Sequence, residues 1–195
     1  MSKAEKTRER ILETALHLFN ENGSHRTTTN HIAETMGISP GNLYYHFRNK
    51  EEVIRGLLDR LVERWAEIFA LPEDRSPTLD DLDRMLSQNF EVLYEYRFFY
   101  RERQALADRD PELAAQYQEV RRLGHLRCQQ LIEQFMTNGV LKVPDSPEEC
   151  QRLGVVTWLI GDFWLASLDL DGLPITPERL KKGVELVYTA LRAYL

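Results

Sequence analysis

The sequence predicts an all-α fold of about nine helices. Three observations support this prediction: apolar residues recur at helical spacing, glycine and proline fall between the apolar segments, and no long alternating run of Val, Ile and Thr is present. The 195 residues suffice for a small domain followed by a larger one, and the hydrophobic content of 43% is that of an ordinary globular protein.

The first three predicted helices are closely spaced. Residues 4–22 carry apolar side chains along one side and are followed by a glycine that ends the helix. Thr28 is a suitable N-cap for a second helix, which ends at Gly37. Ser39 as N-cap and Pro40 at the first helical position begin a third.

The remaining chain predicts six more helical segments. Five of them begin near an Asn, Thr, Asp or Ser residue, often with proline beside it, and the segment 96–106 is a short one without such a signal. The six segments cover residues 49–69, 78–93, 96–106, 110–138, 146–168 and 177–195.

The charge is unevenly distributed. Residues 1–56 contain eight Lys or Arg and seven Asp or Glu, a charge balance of +1. Residues 57–195 have a charge balance of −7, which accounts for the net charge of −6 of the whole sequence. Binding of an anionic partner by the N-terminal part therefore depends on where a few donors are placed. The lack of a long unbroken apolar stretch and of a recognisable leader predicts a cytoplasmic protein without a membrane partner.

The sequence offers little for catalysis. Cys128 and Cys150 form no C-x-x-C pair, and no spacing typical of a metal site is present. There is no glycine-rich phosphate loop and no recognisable Ser/His/Asp arrangement. We therefore predict no metal, no cofactor and no enzymatic activity.

The most specific pattern is TTTNHIAETMGISPGNLYYHFRNKEEV, residues 27–53. Two short helices meet at a tight turn around Gly37, which is the arrangement of a helix-turn-helix whose second helix enters the major groove of DNA. Leu43 and Phe47 are four residues apart and are expected to pack inward. The residues left facing outward are Gly41, Asn42, Tyr45 and His46.

The outward residues have the chemistry of DNA contacts. The amide of Asn42 pairs bidentately with adenine, and aromatic or ammonium groups at Tyr44, His46 and Lys50 suit phosphates. Structural alternatives stay open at this stage. Tyr44 could be a core wedge, His46 a packing residue and Lys50 an ordinary solvated lysine.

Over residues 7–55 the sequence resembles the tetracycline-repressor (TetR) family. The matching positions are Gly23, Thr27-Thr28, Ile32-Ala33, Gly37-Ile38-Ser39, Gly41, Leu43-Tyr44, His46-Phe47 and Lys50. The resemblance implies a three-helix DNA-binding domain over 1–48 and a larger helical domain over 49–195 for ligand binding and dimerisation. It implies DNA contacts by Thr27, Thr28, Ser39, Gly41, Asn42, Tyr44, Tyr45, His46 and Lys50.

The C-terminal part carries two further expectations. Residues 98–117 look like a subgroup of the family described as bacterial repressors, and seven aromatic residues are candidates for lining a ligand pocket, with core or dimer packing as the alternative. They are Trp65, Phe98, Phe99, Tyr100, Trp158, Phe163 and Trp164. Residues 148–168 and 177–195 are predicted to form a homodimer, because the first of them is apolar almost all round; a buried core helix is the alternative.

Together these observations predict a dimeric repressor that binds double-stranded operator DNA and is released by an unidentified small molecule. A ligand-independent repressor or an activator of the same family is the main alternative. A helical enzyme or small-molecule-binding protein is a more distant one.

Overall fold

The computed structural model describes residues 2–195, and over that range it contains nine α-helices and no strand. The all-α prediction is therefore confirmed. The helices are α1 (Lys3–Asn22), α2 (Thr29–Met36), α3 (Pro40–His46), α4 (Lys50–Ile68), α5 (Leu79–Glu95), α6 (Arg97–Arg109), α7 (Pro111–Thr137), α8 (Pro147–Leu170) and α9 (Pro177–Leu191).

Helix ends follow the capping signals closely. The side chains of Thr28, Ser39, Ser146 and Thr176 each accept a hydrogen bond from the backbone N–H three residues later, as N-cap residues do. The last helix is the exception, because α9 ends at Leu191 and not at residue 195. No glycine or proline marks that earlier end.

The chain divides into two compact units. Unit 1 comprises the chain up to Glu63 together with Tyr96–Ala115, so it contains α6 as well as α1–α3. The rings of Phe19 and Phe98 are 5.2 Å apart, and the N–H of Phe98 donates to Asn20 Oδ1 at 3.0 Å. Because α6 completes the core on which α1 rests, this unit does not coincide with a single division after residue 48.

A nearly buried ion pair also belongs to unit 1. Arg55 of α4 donates to Asp110 Oδ2 at 2.5 Å, and Asp110 is only 7% exposed. The other oxygen of Asp110 accepts from the N–H groups of Glu112 and Leu113. One carboxylate therefore caps the start of α7 and neutralises a guanidinium of α4.

Unit 2 comprises Arg64–Glu95 and Gln116–Leu195, and its centre is the packing of α5, α8 and α9. Gly183 of α9 permits this approach, because a Cβ there would lie 2.3 Å from a ring carbon of Phe90 and 2.7 Å from Trp164. The indole N–H of Trp164 donates to the carbonyl of Arg179 at 2.8 Å. These contacts bury one side of α8.

The opposite side of α8 is apolar and exposed. Val155, Val156, Leu159 and Phe163 are each between 44% and 49% exposed. By length and composition alone α8 is apolar enough to cross a membrane, with a mean hydropathy of 1.4 over 18 residues, and 28% of that window is buried in the chain. The alternative of a fully buried core helix is therefore wrong for the chain by itself.

Candidate nucleic-acid interface

Capping residues define both ends of α2 and the start of α3. Thr28 Oγ1 accepts from the N–H of His31 at 3.2 Å, while His31 Nδ1 accepts from the N–H of Thr28 at 3.3 Å. Gly37 ends α2 in the left-handed conformation, with φ of 66°. Ser39 then caps α3 by accepting from the N–H of Asn42 at 3.2 Å. The two helices are thus joined by the short turn, residues 37–39, that a helix-turn-helix requires.

One face of α3 is buried and the other is open. Leu43 and Phe47 are 0% and 3% exposed, as the spacing predicts. Asn42 and Tyr45 are exposed on the opposite face. A Cβ at Gly41 would find a single atom of the chain at 4.0 Å, so no internal packing requires glycine there. The missing side chain leaves room for a partner to approach the backbone closely.

Tyr44 and His46 lie beside this open face. The hydroxyl of Tyr44 is 3.1 Å from Thr29 Oγ1, and its ring is 46% exposed. Tyr44 therefore joins α3 to α2 and still presents its edge to solvent. His46 meets the ring of Tyr45 edge-on, with centroids 5.1 Å apart.

Thr27 is one of the expected DNA contacts, but its side chain is buried. It is 2% exposed, and its hydroxyl donates to the carbonyl of Gly23 at 3.0 Å. That hydroxyl closes the loop between α1 and α2 and is not directed to solvent. The hydroxyl of Thr27 is therefore not available for a DNA contact.

Lys50 lies at the start of α4, as predicted, but its ammonium has a partner that the sequence did not indicate. Lys50 Nζ donates to the carbonyl of Ser24 at 2.7 Å. Ser24 is 1% exposed and lies 26 residues earlier, in the loop between α1 and α2. No local pattern signals such a contact, because it depends on how α1 and α4 pack.

The seven predicted pocket aromatics lie in both units. Phe98, Phe99 and Tyr100 are buried in unit 1, whereas the three tryptophans and Phe163 belong to unit 2. None of these seven aromatic residues lines a cleft of about 280 Å³ in unit 2. It is lined by Arg64, Glu67, Ile68, Gln88, Glu91, Val92 and Glu95.

Trp158 has the most unusual environment of these aromatics. Its ring lies 4.3 Å from that of His125, and its buried indole N–H has no hydrogen-bond partner among residues 2–195. Arg121 forms an ion pair with Asp162, which is 8% exposed, and lies 5.9 Å from the Trp158 ring. Burial and the charge of Arg121 lower the pKa of His125, so the imidazole is neutral at neutral pH.

Two family models match this chain. One, described as "Bacterial regulatory proteins, tetR family", matches residues 11–57, and another, described as "Bacterial transcriptional repressor", matches residues 60–195. The chain belongs to the TetR family. The resemblance stated for residues 7–55 is thereby confirmed and extends over most of the sequence.

Individual TetR-family proteins agree with this assignment. The chain is 29% identical to HTH-type transcriptional regulator UidR of Escherichia coli K12 over 147 residues, which cover 75% of this chain and 73% of that protein. The crystal structure of a TetR-family regulator from Marinobacter aquaeolei is 33% identical, covers 100% of this chain and 92% of its own, and has a TM-score of 0.85. A SmeT–triclosan complex is similar in fold, with a TM-score of 0.67, 22% identity and coverage of 97% and 92%.

This TetR-family chain is a DNA-binding transcriptional regulator and not an enzyme. Both statements confirm the predictions from the sequence.

Proposed function

We propose that the protein is a dimeric repressor that reads a near-palindromic operator with α3 and is released from it by a small molecule. The observation that supports this proposal most directly is the solvent-exposed face of α3. Asn42 and Tyr45 are exposed there, and no neighbouring atoms crowd Gly41. Leu43 and Phe47 hold this face rigidly from behind. We place the protein in the cytoplasm, together with its operator.

The proposed reader, residues 1–48 with the start of α4, divides its contacts between bases and phosphates. Asn42 and Tyr45 face the base edges, and Gly41 allows the backbone to approach. Ser39 accepts from the N–H of Asn42 through its oxygen and keeps its hydroxyl proton for a phosphate. The other phosphate contacts are Thr28, Tyr44, His46, Lys50 and the N–H of Thr27.

A second copy of the chain is the proposed cover for the exposed face of α8. Val155, Leu159 and Phe163 recur every four residues, which suits a partner helix. Asp162 lies in the same helix and pairs with Arg121 of α7, an arrangement unsuited to the interior of a bilayer. A two-fold dimer presents two α3 helices to successive major grooves about 34–36 Å apart.

The proposed effector site includes Trp158. Its buried indole N–H lacks an acceptor, which favours a ligand with a carbonyl or similar oxygen attached to an apolar body. The SmeT–triclosan complex, a neighbour of similar fold, supports a ligand site in the helical body. To move the population from 1:99 to 99:1, the ligand must favour the released conformer by about 5.5 kcal/mol.

The test is binding to the DNA upstream of the protein's own gene across a salt series. Asn42→Ala is expected to lower the preference for operator over random DNA by about 1–3 kcal/mol, the value of one bidentate base contact. Lys50→Ala is expected to weaken binding to both DNAs alike and to reduce the salt slope by about 0.9. Asn138→Ala and Lys142→Ala are the matched controls, since both residues are exposed and lie in unit 2, outside α8 and α9.

The results separate the components of the proposal. Variants at Asn42 and Lys50 that bind the operator like the parent protein exclude α3 as the reader. For the effector, Trp158→Phe keeps an aromatic ring and removes the N–H, so it is expected to weaken release by an acceptor-bearing ligand while operator affinity is kept. A dimer whose operator affinity no metabolite changes is a ligand-independent regulator.

A further inference from the structure

A chain of hydrogen bonds connects α6 to Lys50 through the loop between α1 and α2. Lys50 Nζ donates to the carbonyl of Ser24 at 2.7 Å. The N–H of Ser24 donates to Glu102 Oε1 at 3.0 Å, and the hydroxyl of Ser24 donates to Glu102 Oε2. All three residues belong to unit 1. We call this set the Glu102 latch.

The latch fixes the orientation of Ser24. Ser24 is 1% exposed, and both of its donors go to the two oxygens of one carboxylate, so its peptide cannot rotate without losing a charge-assisted bond. The preceding residue, Gly23, has a φ of 79°, and a Cβ there would lie 3.2 Å from Glu102 and 2.8 Å from His25. The carbonyl of Ser24 is thereby held toward Lys50.

A fixed acceptor matters for a lysine more than for most residues. The ammonium sits on a flexible four-carbon stem that loses much rotamer freedom when it grips a phosphate. One of its three donors is satisfied by Ser24, which leaves two for DNA. The contact with Ser24 therefore orders the side chain in advance and does not compete with a phosphate.

We propose that Glu102 is a positioning residue for DNA binding: from α6 it holds Ser24, and Ser24 presents the ammonium of Lys50 to a phosphate. The proposal rests on the proposed function, because it requires that Lys50 contact DNA. Its consequence is regulatory. A shift of α6 that withdraws the Glu102 carboxylate weakens DNA binding although no residue of α6 touches DNA.

The test is a double-mutant cycle on DNA binding with Glu102→Ala, Lys50→Ala and the double variant. Glu102→Ala alone is expected to weaken binding about fivefold at moderate salt, to operator and random DNA alike, since a phosphate contact carries no sequence information. In the Lys50→Ala background the same substitution is expected to change affinity by less than about 1.5-fold. Asp108→Ala is the control, because it removes one negative charge from an exposed position of the same helix.

Milder variants separate positioning from folding. Glu102→Gln keeps one carbonyl oxygen for the N–H of Ser24 and loses the acceptor of the hydroxyl. Ser24→Ala keeps the N–H bond and loses the hydroxyl. Both are expected to weaken binding less than Glu102→Ala does, with melting curves by circular dichroism that show a folded protein. If Glu102→Ala fails to fold, these two variants in the same cycle decide the question.

Three results overturn the proposal in distinguishable ways. Equal effects of Glu102→Ala with and without Lys50 show a structural role that does not act through the lysine. Tighter DNA binding by Glu102→Ala shows that the latch sequesters the ammonium. If Lys50→Ala itself leaves the affinity and the salt slope unchanged, the proposed phosphate contact fails, and the role of Glu102 fails with it.

Discussion

Truncating Phe163 to alanine tests whether the outer face of α8 joins two copies of the chain. Phe163 is 46% exposed and is the aromatic member of the face formed with Val155, Val156 and Leu159. In a two-fold interface each residue is used twice, so one substitution removes two rings. Aromatic side chains also contribute a large share of interface energy, because each buries a large apolar area.

The size of the effect follows from the exposed area of the ring. A phenylalanine has about 200 Å² to bury, so 46% exposure leaves about 90 Å² for a partner to cover. At about 25 cal/mol per Å² this is about 2.3 kcal/mol per ring. Since alanine still covers part of the area, we expect about 3 kcal/mol for the two rings together. That corresponds to about a 150-fold weaker dimer.

Sedimentation velocity over a dilution series measures this change directly. Val143→Ala is the control, because Val143 is 74% exposed and lies outside α8. A dimer dissociation constant that moves less than threefold in Phe163→Ala refutes the placement of the interface. A parent protein that is monomeric at all concentrations refutes the second copy as the cover, and binding to lipid vesicles then becomes the alternative.

Three further predictions concern unit 2. Gly183→Ala is expected to lower the free energy of unfolding in urea by about 1–2 kcal/mol. The new methyl group overlaps the ring of Phe90, and this steric cost exceeds the gain in helix propensity from alanine. Hydrogen bonds from Arg75 hold the pKa of Asp81 well below its usual range. The stability of the fold is therefore expected to fall as the pH drops below about 4. Asp81→Asn should flatten that decline in melting curves recorded at acid pH. Burial raises the pKa of Tyr188 to about 12. The stability that the protonated Tyr188 contributes is therefore present below about pH 10 and is lost as the pH rises toward 12. Tyr188→Phe should remove this alkaline loss of stability.

The local parts of the reader were predictable from the sequence because each depends on neighbouring residues. Ser39 followed by Pro40 specifies a helix start whatever the rest of the chain does. Gly37 takes the left-handed conformation that only a glycine adopts without strain. The four-residue spacing of Leu43 and Phe47 determines which face of α3 is buried.

Contacts between distant segments were not predictable in this way. Nothing in the sequence around Glu102 distinguishes it from the other charged residues of α6. Its partner Ser24 is 78 residues away. Thr27 shows the same limit, because the family pattern indicates a contact there while the fold directs its hydroxyl into the loop.

The course of the chain gives the latch its regulatory interest. The backbone passes between unit 1 and unit 2 at residues 63–64, 95–96 and 115–116, and the last two points flank α6. The unit 1 segment Tyr96–Ala115, which contains α6, is therefore continuous with unit 2 along the chain at both of its ends. Within unit 1, Phe98 is anchored on α1 and Glu102 on the loop that follows α1. A displacement of α6 within unit 1 therefore strains the hydrogen bond of Phe98 to Asn20 and withdraws the carboxylate that holds Ser24 and, through it, Lys50.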